Sequence, residues 1–534
     1  PFLLHGVTGS GKTEVYLRLV KKLLQETEEG QTLVLVPEIS LTPQMLQIFE
    51  ERFPGLVACV HSAMSEKRRW DELMRIRAGT ARILIGPRSS VFAPFKTLSL
   101  IIVDEEHDSS YKQEGTFPYH ARDVAVIRGK FEKAQVVLGS ATPSLESYWN
   151  STQGKYTLLE MKQRVEQRPL PKLFLIKKTK PERKPPPIAQ EIVQALQDNL
   201  KQKNQAMVIV NRRGFANYLY DSQENKAIQC PHCSISLTLH SRGEKLLCHY
   251  CDYKASISNW VSPSSIAHKN SQRFFSIGYG SEKVENYLQE VLGGARIKRL
   301  DSDTTQKKGT LLDTLQEFKA GDIDILVGTQ MIAKGHDFPR VTLIALCDVD
   351  KMLDLPDIRA GERTFQLIVQ AAGRSGRGQL EGTVLVQSQN QETGAPGARQ
   401  IHPTIEAGLR QDFAAYLERE LSFRRAFAYP PFSHLILLEF SCPNKSVLLN
   451  FCKEAERWFK EQLSQKPGLL QHLKISGPST PSIELVNKRF RRTVLLSSAQ
   501  LAFSHSLAEN FLMAFKKKPS GLRIHVDVDP QNLM

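Results

Sequence analysis

The chain has 534 residues, and its 71 lysine and arginine residues against 56 aspartate and glutamate residues give a formal net charge of +15. This length exceeds one ordinary hydrophobic core and predicts about three to four domains, and the positive charge favours a polyanionic partner over a basic surface of no particular function. No apolar run of about 18 residues occurs and the first residues lack the pattern of a signal peptide, which argues against a membrane protein and predicts a cytoplasmic one.

Five short apolar, β-rich runs recur near the start of the chain, with helical stretches between them. They are FLL (2–4), TLVLV (32–36), RILIG (82–86), LSLIIVD (98–104) and QVVLGSA (135–141). Such runs are too short for buried helices, and their alternation with helical segments is typical of a parallel sheet. The sequence therefore predicts an α/β lobe, which we place at residues 1–176.

The segment after the first apolar run has the pattern G-x-x-x-x-G-K-T between a strand and an amphipathic helix. Gly6, Gly9 and Gly11 allow successive backbone N–H groups to curl around phosphate oxygens, and the helix N-terminus adds a favourable dipole. Lys12 is expected to reach the β and γ phosphates, and Thr13 to offer its hydroxyl to Mg²⁺. The alternative, a glycine-rich turn that arose by chance, does not explain the correct flanks. The pattern predicts an ATP site.

The acidic segment DEEH (104–107) directly follows an apolar run, so its carboxylates are predicted at the C-terminal edge of a strand, where α/β sheets bind ligands. Asp104 is expected to hold Mg²⁺ through water. Glu105 is expected to polarise the water that attacks the β–γ phosphoanhydride. Four polar residues after a strand are by themselves more often a solvated loop, and the phosphate loop reverses that preference.

Aromatic and cationic side chains alternate in YKQEGTFPYHAR (111–122), just beyond the acidic segment. Such an arrangement favours a stacking track for single-stranded DNA, and the alternative is an ordinary loop with packed aromatic rings. The DNA-contact candidates in this segment are Tyr111, Lys112, Tyr119 and Arg122.

A proline-rich, charged segment, KKTKPERKPPP (177–187), predicts an extended linker after the first lobe. The apolar runs that follow it are AMVIVN (206–211), DILVGT (324–329), VTLIALCD (341–348) and GTVLVQ (382–387). They predict a second α/β lobe at residues 188–215 and 276–390, interrupted by a polar insertion at 216–275. The remainder, 391–534, has helices and strands of its own and is expected to form an α+β domain.

The insertion carries two C-x-x-C pairs, Cys230 with Cys233 and Cys248 with Cys251, separated by 14 residues. Four thiolates at this spacing can close a tetrahedral Zn²⁺ site, whereas two disulfides are disfavoured in a reducing compartment. No open coordination position is suggested. We therefore expect one structural zinc ion that folds a small module.

Two further segments of the second lobe contain candidate nucleotide and DNA contacts. In QAAGRSGRG (370–378), Arg374 and Arg377 lie three residues apart and are expected to face a γ-phosphate across the cleft between the lobes, with Gln370 as a further catalytic candidate. A basic helix end is the alternative. In GTQMIAKGHDFP (328–339), Thr329 and Gln330 are expected to grip phosphodiester oxygens and Asp337 to approach the nucleotide.

Distinctive motifs are spread over nearly the whole chain. They are GVTGSGKTEVY, LVPEISLTPQ (35–44), DEEH, SYKQEG (110–115), YHARDVAV (119–126), GSATPSLES (139–147), NRRGFA (211–216), VGTQMIAKGHDFP (327–339), GERTFQLI (361–368), QAAGRSGR and VDVDP (526–530). Together they resemble the PriA family of superfamily-two DNA helicases, which act in bacterial replication restart. In related motors, short hydroxyls such as Ser140 and Thr142 link the phosphate state to the position of the lobes.

The resemblance implies two RecA-like lobes and ATP-dependent 3′ to 5′ unwinding at stalled or branched replication forks. It also implies DNA (forked and single-stranded), primosome proteins and single-stranded-DNA-binding protein as partners, loading of the replicative helicase, and a place in the bacterial cytoplasm. We expect a monomer. Two alternatives stay open: another superfamily-two nucleic-acid translocase, and a DNA-binding primosome scaffold with weak unwinding.

The sequence departs from the family's pattern in two places. The family typically has four C-x-x-C pairs that bind two zinc ions, but 216–229 and 257–270 contain no cysteine, so the second zinc site is expected to be absent. The chain also opens at Pro1, already inside a motif. The family's leading DNA-binding domains are therefore expected to be absent upstream of Pro1, and two alternatives stay open: a fragment of a longer protein and a divergent short form.

Overall fold

The computed structural model describes most of the chain, which divides into two compact units. The first unit comprises Pro1–Val210, Glu285–Asp350 and Gly361–Arg419, and the second comprises Asn211–Val284, Lys351–Ala360 and Glu420–Met534. The residues outside the description are 38–41, 62–63, 116, 166–169, 178–185, 211–217, 222–225, 241–244, 249, 257–273, 278–279, 302–309, 334–337, 356, 377–379, 389–400, 466–472 and 534. No helix in the described part of the chain combines the length and the hydropathy of a membrane span.

The first lobe is a parallel sheet of seven strands with helical connections. Its chain segment contains the strands β1 (Phe2–Gly6), β2 (Gln31–Leu35), β3 (Val57–Cys59), β4 (Ile83–Gly86), β5 (Leu98–Asp104), β6 (Lys112–Gln113), β7 (Tyr119–His120), β8 (Gln135–Ser140) and β9 (Thr157–Met161). The helices are α1 (Lys12–Glu26), α2 (Thr42–Arg52), α3 (Glu66–Ala78), α4 (Ala121–Glu132) and α5 (Leu145–Thr152). The strand order is β3-β4-β2-β5-β8-β1-β9, while β6 and β7 pair separately. All five predicted runs are therefore strands of one sheet.

Both faces of this sheet are covered, which explains why its strands are continuous apolar runs. Neighbouring residues of a strand point to opposite faces. In β2, Leu33 and Leu35 enter one buried cluster while Val34 enters another, and all three are fully buried. Because the strands run parallel, the loops after β1, β5 and β8 emerge at the same edge of the sheet.

The second lobe begins earlier than the sequence predicts. The segments that open it are β10 (Lys172–Lys177), α6 (Gln190–Lys201) and β11 (Gln205–Val210). Strand β10 had been expected within the first lobe, at 1–176, because it precedes the proline-rich segment. It instead pairs in parallel with the strand Thr383–Ser388 of the second lobe, and Lys172 N donates to Gly382 O over 3.0 Å. The boundary between the lobes therefore lies before Lys172.

The insertion is a small antiparallel sheet in the second unit. Its strands are β12 (Tyr218–Asp221), β13 (Lys226–Ala227), β14 (Thr238–His240), β15 (Lys245–Leu247), β16 (Lys254–Ser256) and β17 (Phe274–Ile277). The order is β13-β12-β14-β15-β16, with β17 also paired to β12. The expected end of the insertion, at residue 275, falls inside β17, and this strand returns the chain beside β12, where the insertion begins.

The rest of the second lobe completes a six-stranded parallel sheet, which confirms the prediction of a second α/β lobe. Its elements are α7 (Ser281–Val291), β18 (Ile297–Leu300), α8 (Thr310–Ala320), β19 (Ile325–Gly328), β20 (Val341–Cys347), α9 (Asp350–Leu353), α10 (Ala360–Ala372), β21 (Thr383–Ser388) and α11 (Pro403–Leu409). The strand order is β10-β21-β20-β11-β19-β18. The first unit extends to Arg419, so the C-terminal domain begins near 420 and not at 391.

The C-terminal domain is an antiparallel sheet covered by two helices, as the predicted α+β class requires. Its elements are α12 (Phe413–Ala426), which leads into it, β22 (His434–Cys442), α13 (Lys445–Gln465), β23 (Leu473–Ser479), β24 (Leu485–Val486), β25 (Arg489–Ser498), α14 (Leu501–Ala514) and β26 (Arg523–Val528). The sheet order is β23-β25-β22-β26, with β24 paired to β25. Phe440, Phe451 and Phe511 lie at the centre of its core.

Candidate active site and metal centre

The glycine-rich loop after β1 contains two glycines with positive φ angles. Gly9 and Gly11 have φ angles of 81° and 88°, in the left-handed region that favours glycine. Gly11 caps helix α1 without a side chain, which leaves the helix N-terminus open to a ligand. The Lys12 ammonium group donates to Gly6 O over 2.8 Å and so lies folded against its own loop.

The strand β5 delivers two carboxylates to the same edge of the sheet. Asp104 accepts a hydrogen bond of 3.0 Å from the hydroxyl of the buried Tyr16 on α1. Burial and the neighbouring Glu105 carboxylate raise the pKa of Asp104 to about 6, although the Lys12 charge opposes this shift. A divalent cation would relieve the repulsion between these two adjacent carboxylates. Carboxylate and hydroxyl oxygens are suitable ligands for such a cation.

Glu105 adopts an unusual backbone conformation for a residue with a side chain. Its φ angle is 47°, and backbone strain of this kind clusters at functional sites. Its Oε2 atom is buried and accepts no hydrogen bond from the described part of the chain. The nearest basic group is His107, whose Nδ1 is 3.6 Å away, too far for a hydrogen bond. This carboxylate can therefore accept a hydrogen bond from water.

The third acid of the segment, Glu106, is structural. It is fully buried and accepts hydrogen bonds from Ser144 N at 2.7 Å, from the Ser144 and Ser147 hydroxyls at 3.0 and 2.7 Å, and from Arg122 Nη1 at 3.2 Å. These bonds satisfy the first turn of α5. They also hold the GSATPSLES segment against the end of β5.

His107 connects the acidic segment to the second lobe through a chain of polar contacts. Its Nδ1 lies 2.7 Å from the Ser140 hydroxyl, which also accepts a 2.9 Å bond from Thr142 N. Its Nε2 lies 2.5 Å from Gln370 Nε2 of α10. Gln370 of the second lobe thus contacts His107 of the acidic segment, and the Ser140 hydroxyl contacts the same imidazole.

One face of α10 carries two further polar residues toward the first lobe. Glu362, Gln366 and Gln370 follow one another at intervals of four residues, which places them on the same face of the helix. Glu362 Oε1 accepts a 3.1 Å bond from Leu145 N at the start of α5, and Gln366 Nε2 lies 3.5 Å from Thr142 O. The sequence does not identify Glu362 as a site residue, because an acidic residue within a helix gives no sign of a backbone partner far away in the chain.

The predicted arginine pair is only partly described. Helix α10 ends at Ala372, so Arg374 follows the helix and the expected helical spacing of the two arginines does not apply. Arg374 Nε donates to Ala333 O over 2.9 Å. Arg377 and Asp337 lie outside the described residues. Just before Arg374, Gly373 lies so close to Thr8 of the glycine-rich loop that a β-carbon there would overlap the threonine side chain.

Three of the predicted DNA contacts are buried, and this contradicts a role as an open stacking track. Tyr111 is fully buried and donates to Asp104 O over 2.7 Å. Lys112 is 4% exposed, and Arg122 binds Glu106 in the interior. The Tyr111 side chain stabilises the end of β5, and the Arg122 side chain stabilises the start of α5 through Glu106 and Ser144. A sequence pattern of alternating residues cannot distinguish an inward side chain from an outward one in an irregular loop.

The outward aromatic surface consists of other residues around the same loop. Phe117 is 81% exposed, and Phe92, which the sequence analysis did not identify, is 61% exposed and packs edge-on against the Tyr119 ring at 5.0 Å. On the second lobe, Thr329 is buried at the end of β19, and Gln330 is half-buried at the start of a short 3₁₀ turn.

The four cysteines of the insertion converge as predicted. Their sulfur atoms all lie within 4.8 Å of one another, and Cys230 Sγ is 3.6 Å from Cys251 Sγ. Tetrahedral zinc with Zn–S bonds of about 2.3 Å requires sulfurs about 3.8 Å apart, so this set fits the ion. Burial raises the pKa of the Cys230 thiol to about 11 and that of the Cys233 thiol to about 12. At Cys251 the effect of burial is outweighed by hydrogen bonds from Tyr253 N and the neighbouring thiols, which lower the pKa of this thiol. A bound cation would favour the thiolate form of all four.

Backbone N–H groups support these sulfurs. His232 N donates to Cys230 Sγ over 3.3 Å, and Asn487 N donates to Cys233 Sγ over 3.1 Å. Metal-binding sulfurs commonly accept hydrogen bonds of this kind. The His232 ring packs edge-on against Tyr253 at 5.1 Å.

Four family descriptions match successive parts of the chain. They are DEAD/DEAH box helicase at residues 2–149, helicase conserved C-terminal domain at 264–379, PriA DNA helicase Cys-rich region at 230–255, and primosomal protein N C-terminal domain at 425–531. The first two match parts of the two parallel-sheet lobes. The third covers the four cysteines.

Known relatives match the chain from end to end. The replication restart protein PriA of Bacillus subtilis is 38% identical over 100% of this chain, which spans 64% of that protein's length. The proteins of the same name from Chlamydia pneumoniae and Haemophilus influenzae are 39% and 35% identical, and the chain spans 68% and 70% of their lengths. With these matches, the two parallel-sheet lobes and the four-cysteine centre, the chain belongs to the PriA family.

Proposed function

We propose that this chain is the motor portion of an ATP-dependent DNA helicase of replication restart, which unwinds DNA 3′ to 5′ at stalled or branched forks. The observation that carries the proposal is the contact of α10 with the acidic segment, through Gln370 and His107. A nucleotide bound at the glycine-rich loop lies beside this contact. Hydrolysis and the relative position of the lobes are therefore expected to influence each other.

The roles in hydrolysis follow from the site. Mg²⁺ would be held by the Thr13 hydroxyl and, through water, by Asp104, and when bound it neutralises charge on the β and γ phosphates. The loop glycines surround the phosphates with backbone N–H groups, and Lys12 turns from Gly6 O to the γ-phosphate. Glu105 accepts a hydrogen bond from the attacking water and orients it for attack on the γ-phosphorus.

We assign the transition-state cations to the segment after α10. Gly373 lies against Thr8 of the phosphate loop, and this contact supports a role at the phosphates for the arginines that follow it in the sequence. Arg377 and Arg374 are proposed to stabilise the charge that develops as the β–γ bond breaks, and Asp337 to approach the nucleotide from the same lobe. Their contribution requires that the lobes are closed.

DNA is proposed to cross both lobes. The exposed rings of Phe117 and Phe92, with the half-buried Tyr119 ring beside Phe92, are proposed to stack on unpaired bases. Thr329 and Gln330 are the candidates for phosphodiester contacts on the second lobe. The formal charge of +15 supports such a partner. By family membership, primosome proteins, single-stranded-DNA-binding protein and the replicative helicase are the proposed protein partners. Cytoplasmic location and a monomeric state belong to the same proposal.

The four-cysteine centre is proposed to hold one structural Zn²⁺ ion, with no second zinc site. Elemental analysis of the purified chain is expected to return about one zinc per chain. A value near two would show that other ligands complete a second site.

The function is tested by measuring ATP turnover with and without single-stranded DNA, in parallel with unwinding of forked duplexes that carry 3′ or 5′ tails. DNA should raise turnover, and Lys12→Ala should abolish it without changing the melting temperature, because Lys12 contributes a phosphate contact and no core volume. Preference for RNA over DNA, or ATP turnover that does not change when nucleic acid is added, would refute the DNA-helicase proposal. Stimulated turnover without unwinding would favour a translocase or a DNA-binding scaffold.

A further inference from the structure

A hairpin of the C-terminal domain reaches the first C-x-x-C pair of the insertion, within the second unit. The hairpin joins β24 to β25, with Leu485 paired to Phe490 and Val486 to Arg489. Its two turn residues, Asn487 and Lys488, have φ angles of 48° and 59°. A two-residue turn with both central residues in the left-handed region is a tight and well-defined hairpin connection.

Five hydrogen bonds join this hairpin to the segment that follows Cys230. Ser234 N donates to Leu485 O over 2.8 Å, and Leu485 N donates to the Ser234 hydroxyl over 2.8 Å. Lys488 N donates to His232 O over 2.7 Å. Asn487 N donates to Cys233 Sγ over 3.1 Å. The Ser234 hydroxyl also donates to Leu485 O over 3.4 Å. Three of the five bonds use backbone N–H groups of the hairpin, so these three depend on its conformation and not on the identity of its side chains.

The hairpin is itself firmly held by the C-terminal domain. Arg491 N donates to Glu484 O, and the Glu484 carboxylate lies 2.9 Å from Arg492 Nη2 and 3.0 Å from Lys445 Nζ. Hydrogen bonds from Lys445 and Arg492 hold the pKa of Glu484 below its usual range, so this carboxylate stays charged near neutral pH. Arg489 Nη2 donates to Ser441 O over 2.7 Å. The turn is therefore presented to the cysteines from a rigid base.

We propose that the hairpin Glu484–Arg489 is the outer coordination shell of the zinc centre, so that metal binding and docking of the insertion on the C-terminal domain form one linked equilibrium. This inference rests on zinc occupancy of the four cysteines. An N–H group that donates to a metal-bound thiolate stabilises its charge and fixes its direction, and outer partners of this type contribute about 10- to 100-fold in metal affinity. Coupling between two binding events is reciprocal. Zinc must therefore tighten the hairpin contact by the same factor.

Two variants of Asn487 distinguish the hydrogen bond from Asn487 N to Cys233 Sγ from simple packing of the hairpin. Asn487→Gly keeps the N–H donor and tolerates the positive φ, whereas Asn487→Pro removes the donor and cannot adopt that φ. Zinc affinity of the full chain, measured by competition with a chromogenic chelator, should be near the natural value for the glycine variant. It should fall about 10-fold or more for the proline variant. Equal affinities of the two variants would overturn the proposal.

A pair of serine variants tests the linkage without changing any residue of the hairpin. Ser234→Ala, on the insertion side, removes the acceptor of Leu485 N, and Ser236→Ala in the same segment is its matched control. The first should weaken zinc binding and the second should not. Similar effects of both serine variants would count against the linkage.

The effect of zinc on the hairpin contact is tested by amide hydrogen exchange of the wild-type chain. A peptide that covers residues 484–489 should be protected with zinc and should exchange faster after chelation, while peptides from β22 stay protected. Unchanged protection of 484–489 would refute the linkage. A chain that binds no zinc at all would instead overturn the metal site itself, so the two failures are distinguishable.

Discussion

Replacement of Glu362 by alanine is expected to uncouple the second lobe from the nucleotide site while both lobes stay folded. Glu362 and Leu145 are 4% and 0% exposed, so the Leu145 N–H group loses its acceptor at a site that water does not easily reach. A buried donor without a partner costs about 1–3 kcal/mol. If this contact forms only when the lobes close, the same free energy shifts closure by about 5- to 150-fold.

Glu362→Gln provides the matched comparison. The amide oxygen can still accept from Leu145 N, and the favourable charge at the N-terminus of α5 is lost, about 0.3–1 kcal/mol. Glu381→Ala is the control on the same lobe, because that carboxylate pairs with Lys172 at the surface, where both side chains are 66% exposed. Such a pair contributes little.

The assay is ATP turnover as a function of single-stranded DNA concentration, with a thermal melt of each variant. The alanine variant should lose most of the DNA-stimulated turnover and keep its affinity for nucleotide, since Glu362 binds neither phosphate nor metal. The glutamine variant should be close to wild type. Full stimulation in Glu362→Ala, or equal loss in both Glu362 variants, would refute the reasoning.

The remaining predictions concern three other positions. In Gly139→Ala, the new methyl group overlaps the hydroxyl of Tyr16 and should destabilise the chain by about 1–3 kcal/mol and lower turnover, and an unchanged urea midpoint would contradict this. Tyr119→Ala should weaken single-stranded DNA binding by about 1–3 kcal/mol in fluorescence anisotropy at fixed salt, whereas unchanged affinity would remove this ring from the proposed stacking surface. Cys230→Ser, or removal of zinc by a chelator, should unfold the insertion while nucleotide binding by the lobes persists, and loss of nucleotide binding would show that the insertion supports the lobes.

The sequence predicted the sheets and the phosphate site because local pattern determines them. A buried parallel strand such as β2 must be apolar on both faces, and the glycine-rich loop needs Gly9 and Gly11 at left-handed φ. The four cysteines were equally predictable, since their spacing matches what one tetrahedral ion requires.

Long-range packing was not predictable in the same way. The direction of Tyr111 and Arg122 depends on β5 and α5, which the loop sequence does not encode, and β10 joined the second sheet through a pairing with a strand some 200 positions later. Glu362 meets a backbone N–H group 217 positions away. Backbone donors are the same at every residue, so sequence patterns cannot reveal such a partner.

The short connection from β8 to α5 limits how much change the first lobe tolerates. From Ser140, which contacts His107, to Leu145, which contacts Glu362, the chain passes through six residues. An insertion of even one residue there would rotate the first turn of α5 by about 100° and separate Glu106 and Glu362 from the groups that they cap. Protein engineers who graft a sensor or a permuted terminus into this motor should therefore avoid this connection. The surface turn at Gly154, where an added β-carbon meets nothing within 4 Å, offers a safer site.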